Sequence, residues 1–143
     1  RMACEASDLV TSVVSLAGST FEDDASCAPA TNTVSVLTIH GVDDETIFYD
    51  GRQLDDTGYP GALETTRRFA AHAGCNSDPV SAGNLDVLGA VPGAETEVLE
   101  YTDCADDSDV THWKMVDGIH IPYPWEGSAL DMMVDWIVEH RRS

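Results

Sequence analysis

Two runs of aliphatic and β-branched residues dominate the first third of the chain: 9–17 (Leu-Val-Thr-Ser-Val-Val-Ser-Leu-Ala) and 34–40 (Val-Ser-Val-Leu-Thr-Ile-His). Each is followed by a glycine, Gly18 and Gly41. Short apolar runs of this make-up, closed by glycine, read as buried strands. Residues 59–75 read as a helix, with Pro60 suited to a first turn, an apolar stripe through Leu63, Arg67, Phe69, Ala70 and Ala73, and Gly74 as the stop. Residues 96–103 and 110–116 alternate apolar and polar side chains and look like a strand pair. A last helix over 129–142 is capped by Ser128, with Leu130, Met133, Val134, Ile137 and Val138 on one face and Arg141 and Arg142 at its carbonyl end. Residues 1–7 read as the last turns of another helix. Strands alternating with helices argue for an α/β fold on a mostly parallel sheet of about four strands with flanking helices. In such sheets chemistry sits on the loops that leave the carboxyl ends of strands.

The 143 residues suit one domain, with no internal repeat and no linker. Seven Lys and Arg stand against 26 Asp and Glu, a net charge of -19, which argues against nucleic acid as a partner. Hydrophobic residues make up 43% of the chain, so the acidity belongs to a core-forming protein and not to a disordered tail. An Asp-rich coat of this kind keeps a protein hydrated in salty surroundings. No apolar run reaches the ~18 residues of a membrane span, so no membrane partner is expected. The acids Asp103, Asp106, Asp107 and Asp109 lack the glycine and terminal glutamate spacing of a helix-loop-helix calcium site and read as a solvated loop. The histidines form no metal set; His72, His112 and His140 are read as surface positions. Neither metal nor cofactor is expected.

Cys4, Cys27, Cys75 and Cys104 never occur as Cys-x-x-Cys and have no histidine at finger spacing, which argues against zinc. They fit an oxidised, secreted or periplasmic protein; the alternative is four buried thiols in a reducing compartment. Of the three pairings, the sequential one, Cys4 with Cys27 and Cys75 with Cys104, closes loops that each start at a helix end and is preferred.

Two loops carry candidate chemistry. One follows the strand ending at Ile39 and reads His40-Gly41-Val42-Asp43-Asp44-Glu45; the other follows Val116 and reads Asp117-Gly118-Ile119-His120-Ile121-Pro122-Tyr123-Pro124-Trp125. An acid after one strand and a histidine after a later one is what an acid-histidine pair needs: the carboxylate orients imidazole through Nδ1–H and leaves Nε2 to take a proton. His40-Gly41-x-x-Asp44 with Tyr49-Asp50-Gly51, then Gly74-Cys75, then Trp113 leading to Asp117-Gly118-Ile119-His120, resembles the second half of a secreted α/β-hydrolase esterase. The family is the poly(3-hydroxybutyrate) depolymerase and feruloyl esterase type, carbohydrate esterase family 1. The resemblance implies Asp44, rather than its neighbour Asp43, as triad acid and His120 as base. It implies the same two disulfides and a small ester or polyester as substrate. His40 is expected behind the site, and Tyr123 and Trp125 are candidate linings of an acyl pocket.

The chain departs from that family at Val42, in place of threonine, at Asp117-Gly118-Ile119, in place of a glycine run, and at Ile121-Pro122-Tyr123-Pro124, where Trp-Pro usually follows the histidine. A larger departure is that no Gly-x-Ser-x-Gly nucleophile elbow occurs. By resemblance residues 1–143 are the C-terminal portion of a single, truncated α/β-hydrolase domain whose N-terminal half, with nucleophile and oxyanion donors, is missing. Ser19 and Thr20, after Gly18, are weak replacement hydroxyls. Two functions follow as expectations: a carboxylic ester hydrolase carrying acid and histidine, or an inactive or weakly promiscuous unit that self-assembles through the open edge of the strand at 9–17.

Overall fold

The computed structural model describes residues 1–27, 32–54 and 57–140; Arg141 and Arg142 lie outside the described residues. In chain order the elements are α1 (Met2–Glu5), β1 (Ser12–Leu16), β2 (Ser35–Gly41), β3 (Gly51–Leu54), β4 (Thr57–Pro60), α2 (Ala62–His72), β5 (Val80–Leu85), β6 (Thr96–Tyr101), β7 (Val110–Met115) and α3 (Ala129–Glu139). Five strands form a mixed sheet in the order β1-β2-β7-β6-β5, and β3-β4 form a separate hairpin.

This architecture corrects the expected fold class. A truncated α/β-hydrolase fold with a mostly parallel sheet was expected, yet only β1-β2 and β2-β7 pair in parallel, while β7-β6, β6-β5 and β3-β4 are antiparallel. The connections explain it. Parallel neighbours need a crossover of a dozen or more residues, and no α-helix intervenes between β5, β6 and β7. The alternation at 96–103 and 110–116 therefore marks a hairpin-like pair, and β5 extends it as an edge strand whose register slips between Ser81 and Gly83.

Both long helices differ from their expected faces. Tyr59 and Pro60 belong to β4, so α2 starts after Gly61, and the Ala62 N–H donates to the Tyr49 carbonyl. Its buried side is small, Ala62, Thr65, Thr66 and Ala70, while Leu63 is exposed, which lets α2 lie close on β2 and β7. In α3, Ala129 and Met133 are buried and Met132 and Trp136 pack against the core, whereas Leu130, Val134, Ile137 and Val138 are exposed. The true buried arc is one residue removed from the apolar stripe read from the sequence, and Ser128 makes no side-chain cap.

The sheet has two unlike faces. Leu37, Ile39, Val98, Trp113 and Met115 form the main core with Ala129 and Met133 of α3. On the α2 side the packing is more polar, with Thr38 hydrogen-bonded to Thr66 at 2.6 Å. Both disulfides are formed in the sequential pairing. Cys4–Cys27 ties α1 to a short 3-10 turn, and Cys75–Cys104 ties the end of α2 to the turn after β6. Among the described residues no helix is long and apolar enough to cross a membrane.

Candidate active site

β2 and β7 are parallel neighbours with Gly41 opposite Met115, so both release their following loops at the same rim of the sheet. The loops are joined by backbone: Val42 N–H donates to Met115 O at 3.0 Å and Asp43 N–H to Gly118 O at 2.9 Å. This approach requires glycine. A Cβ at Gly41 would overlap the Gly118 carbonyl, and one at Gly118 would meet Met115 Cβ at 2.7 Å and Gly41 Cα at 3.0 Å. Asp117 makes the turn with φ of 59°, a left-handed conformation that Asp tolerates.

The carboxylate of Asp44 is fully buried. Its Oδ1 accepts the N–H groups of Thr46 and Ile47, both at 2.8 Å, and its Oδ2 lies 2.9 Å from His120 Nδ1. His40, also buried, donates from Nε2 to the Ile47 carbonyl at 2.8 Å and stands 3.2 Å from the same Oδ2. Burial alone pushes the Asp44 carboxyl up; the His120 hydrogen bond, the Ile47 and Thr46 N–H groups and the imidazole charge outweigh it and hold the carboxyl below its ordinary range. An ionised carboxylate only accepts, so Nδ1 of His120 carries a proton, and in the neutral ring Nε2 is left with its lone pair. The His120 side chain is 34% exposed, and among the described residues no group hydrogen-bonds Nε2. Asp43, the neighbouring acid, is exposed.

The loop that carries Asp44 is anchored from below by His112. The sequence suggested a surface histidine; in the structure it is completely buried, because both faces of β7 are covered. Its Nε2 lies 2.9 Å from Tyr49 Oη and its Nδ1 2.7 Å from Thr38 Oγ1. The assignment that gives every proton an acceptor runs from Tyr49 O–H to Nε2, from Nδ1–H to Thr38, from Thr38 to Thr66, and from Thr66 to the Ala62 carbonyl. The chain works only for a neutral ring. Burial, helped by the charges of His40 and Lys114, lowers the His112 pKa to about 3, and burial likewise raises that of Tyr49.

Asp44 and His120 open onto a cleft of about 860 Å³, whose walls include Val42, Phe48, Ile119 and Ile121. The other candidates are not on it. Tyr123 is 82% exposed and does not line the cleft, while Trp125 packs against the main core and bridges to Leu88. Ser19 lies elsewhere: its hydroxyl donates to Pro60 O at 2.8 Å and sits 3.2 Å from Thr65 Oγ1. Sequence reasoning missed the four apolar wall residues. Their signal was apolar side chains flanking both loop starts, past the ends of the strands that would bury them. Among the described residues no group of three or more His, Cys, Asp or Glu side chains is arranged to hold a metal. No family model matches the chain, and no curated protein does.

Proposed function

We propose that the protein is a carboxylic ester hydrolase in which His120 is the general base and Asp44 its orienting acid. The observation that carries this reading is the 2.9 Å contact between His120 Nδ1 and a buried, backbone-held carboxylate, with Nε2 facing no protein partner among the described residues. Imidazole held in that tautomer can take a proton from an attacking O–H while the carboxylate stabilises the imidazolium. The attacking oxygen bonds to the ester carbonyl carbon as its proton passes to Nε2. The tetrahedral intermediate then expels the alkoxide, which recovers that proton from Nε2–H. When the attacking group is water the products are acid and alcohol at once; when it is a hydroxyl, a second round with water frees the acid.

The attacking group is not among the described side chains that hydrogen-bond His120, and Ser19 is engaged with Pro60 and Thr65. A water activated by His120, or a hydroxyl brought to the cleft by another chain segment, fills the role. The motif resemblance to feruloyl esterases and polyester depolymerases supports an ester of an aryl or aliphatic acid, and the apolar walls Val42, Ile119 and Ile121 suit such an acyl group. Two disulfides support an oxidising, secreted or periplasmic setting.

The test is hydrolysis of a chromogenic short-chain ester by wild type, Asp44→Ala, His120→Ala and Ser19→Ala. Wild-type activity that falls about 100-fold or more in His120→Ala and Asp44→Ala, and persists in Ser19→Ala, is the expected result. Activity that survives both of the first two substitutions, or wild type no faster than His120→Ala, overturns the reading.

A further inference from the structure

β1 stands at one end of the sheet, with β2 on its inner side only. Thr11 O accepts from Ser35 N–H and Ala17 N–H donates to Ile39 O, so the odd-numbered residues of the strand face β2. Ser12, Val14 and Leu16 therefore turn their N–H and C=O groups outward. Among the described residues none of these groups has a backbone partner beyond the sheet. A row of unpaired donors and acceptors at strand spacing is satisfied by another strand.

The strand itself is uncharged and its α3 side is apolar, while on the opposite face Arg1, paired with Glu5, lines a cavity with Val13 and Ser15. Residues 9–21 carry no charged side chain, in a protein that is 23% charged with a net charge of -19. Open edges are usually guarded by charge or proline, and this one is not. Above it lies α3, which packs on β1 and accepts the Ser12 hydroxyl at the Ile137 carbonyl, 3.2 Å away. At about 100° per residue, the exposed side chains of α3 separate into an apolar flank, Leu130, Val134, Ile137 and Val138, and an acidic flank, Asp131, Asp135 and Glu139. Glu139 shares a groove with Glu100 and Thr102 at the end of β6, so the acidic flank faces that side. The apolar flank consequently overhangs β1.

We propose that this surface binds a second copy of the chain, β1 against β1 in antiparallel register about a two-fold axis at Val14. In that register Val14 faces Val14 and Ser12 faces Leu16, and every outward N–H and C=O of both strands is paired. The axis stands perpendicular to the sheet, so both α3 helices lie on the same face and their apolar flanks meet across it. Charge selects the occupant. The strand offers no acid to a cationic partner, and an uncharged edge in a strongly acidic chain lets two copies approach with little local repulsion.

The experiment is sedimentation from micromolar to near-millimolar protein, with amide hydrogen exchange read at Ser12, Val14 and Leu16. A dimer is expected, with these three amides protected at least tenfold more at dimer-forming concentrations than on dilution. Leu130→Lys with Val134→Lys, two exposed positions that leave the core intact, should weaken dimerisation at least tenfold, and Val14→Pro should do the same. If Val14→Pro does not fold, the lysine pair decides. A monomer at every concentration overturns the proposal, as does protection of these amides in the monomer, a dimer whose Ser12, Val14 and Leu16 amides exchange freely, or one indifferent to the lysine pair.

Discussion

Acidification should destabilise this protein through His112 before most of its carboxylates titrate. The ring is neutral in the fold, accepting from Tyr49 and donating to Thr38, and its pKa there is about 3 against about 6.5 for an unfolded-chain histidine. Between these values the unfolded chain binds the extra proton and the folded one does not. Stability from this group is therefore complete above the unfolded value, falls as pH drops, and levels off below the folded value. At 1.36 kcal/mol per pH unit the loss is about 1.4 kcal/mol at pH 5.5 and about 3 kcal/mol at pH 4. Set against the 5–15 kcal/mol of a typical domain, either is measurable. The assay is urea unfolding of wild type and His112→Gln at pH 7, 5.5 and 4. The variant should be less stable at pH 7, because Thr38 and Tyr49 lose a well-placed partner, yet lose about 3 kcal/mol less than wild type on going to pH 4. Parallel pH curves for the two proteins would refute the reasoning, since the Asp and Glu residues are common to both.

Gly41→Ala should push apart the loops that carry Asp44 and His120, because its methyl would overlap the Gly118 carbonyl. A cost of about 1–3 kcal/mol by urea unfolding is expected, with loss of ester hydrolysis beyond what the lost stability explains. Replacing Cys75 and Cys104 by serine opens a loop with a sequence separation of 29, and chain entropy puts the cost at about 3–4 kcal/mol by denaturant titration. A loss under about 1 kcal/mol would mean that the reduced chain holds the end of α2 by packing alone.

How much could be read from the chain varied with burial. β2, with all seven residues buried, stood out as a continuous apolar run, and β6 as an alternating one. β5, Val-Ser-Ala-Gly-Asn-Leu, and β3, Gly-Arg-Gln-Leu, have neither signal: β5 is an almost wholly exposed edge, and β3 pairs only with β4. Extending the strand-helix-strand pattern of the first half to the whole sheet, although 96–103 and 110–116 read as a strand pair, made the sheet too parallel. The spacing of strand, glycine and acid brought the loops of Asp44 and His120 to notice, and strand adjacency puts those loops on one rim. His112 was illegible because alternation tells inside from outside only when one face of a sheet is wet, and here α2 and α3 cover both. Tyr123 and Trp125 illustrate the converse. Aromatic residues three and five positions beyond a loop-end histidine go where the chain turns next, and it turns away from the cleft.

The pairing of His120 with Asp44 is tested most directly by the protonation state of the His120 ring nitrogens, read by nitrogen-15 NMR at neutral pH. An Nδ1-protonated ring with a bare Nε2 is expected in wild type, shifting toward the Nε2-protonated tautomer in Asp44→Ala. A wild-type ring already protonated at Nε2, or one whose tautomer ignores the loss of Asp44, would contradict the account.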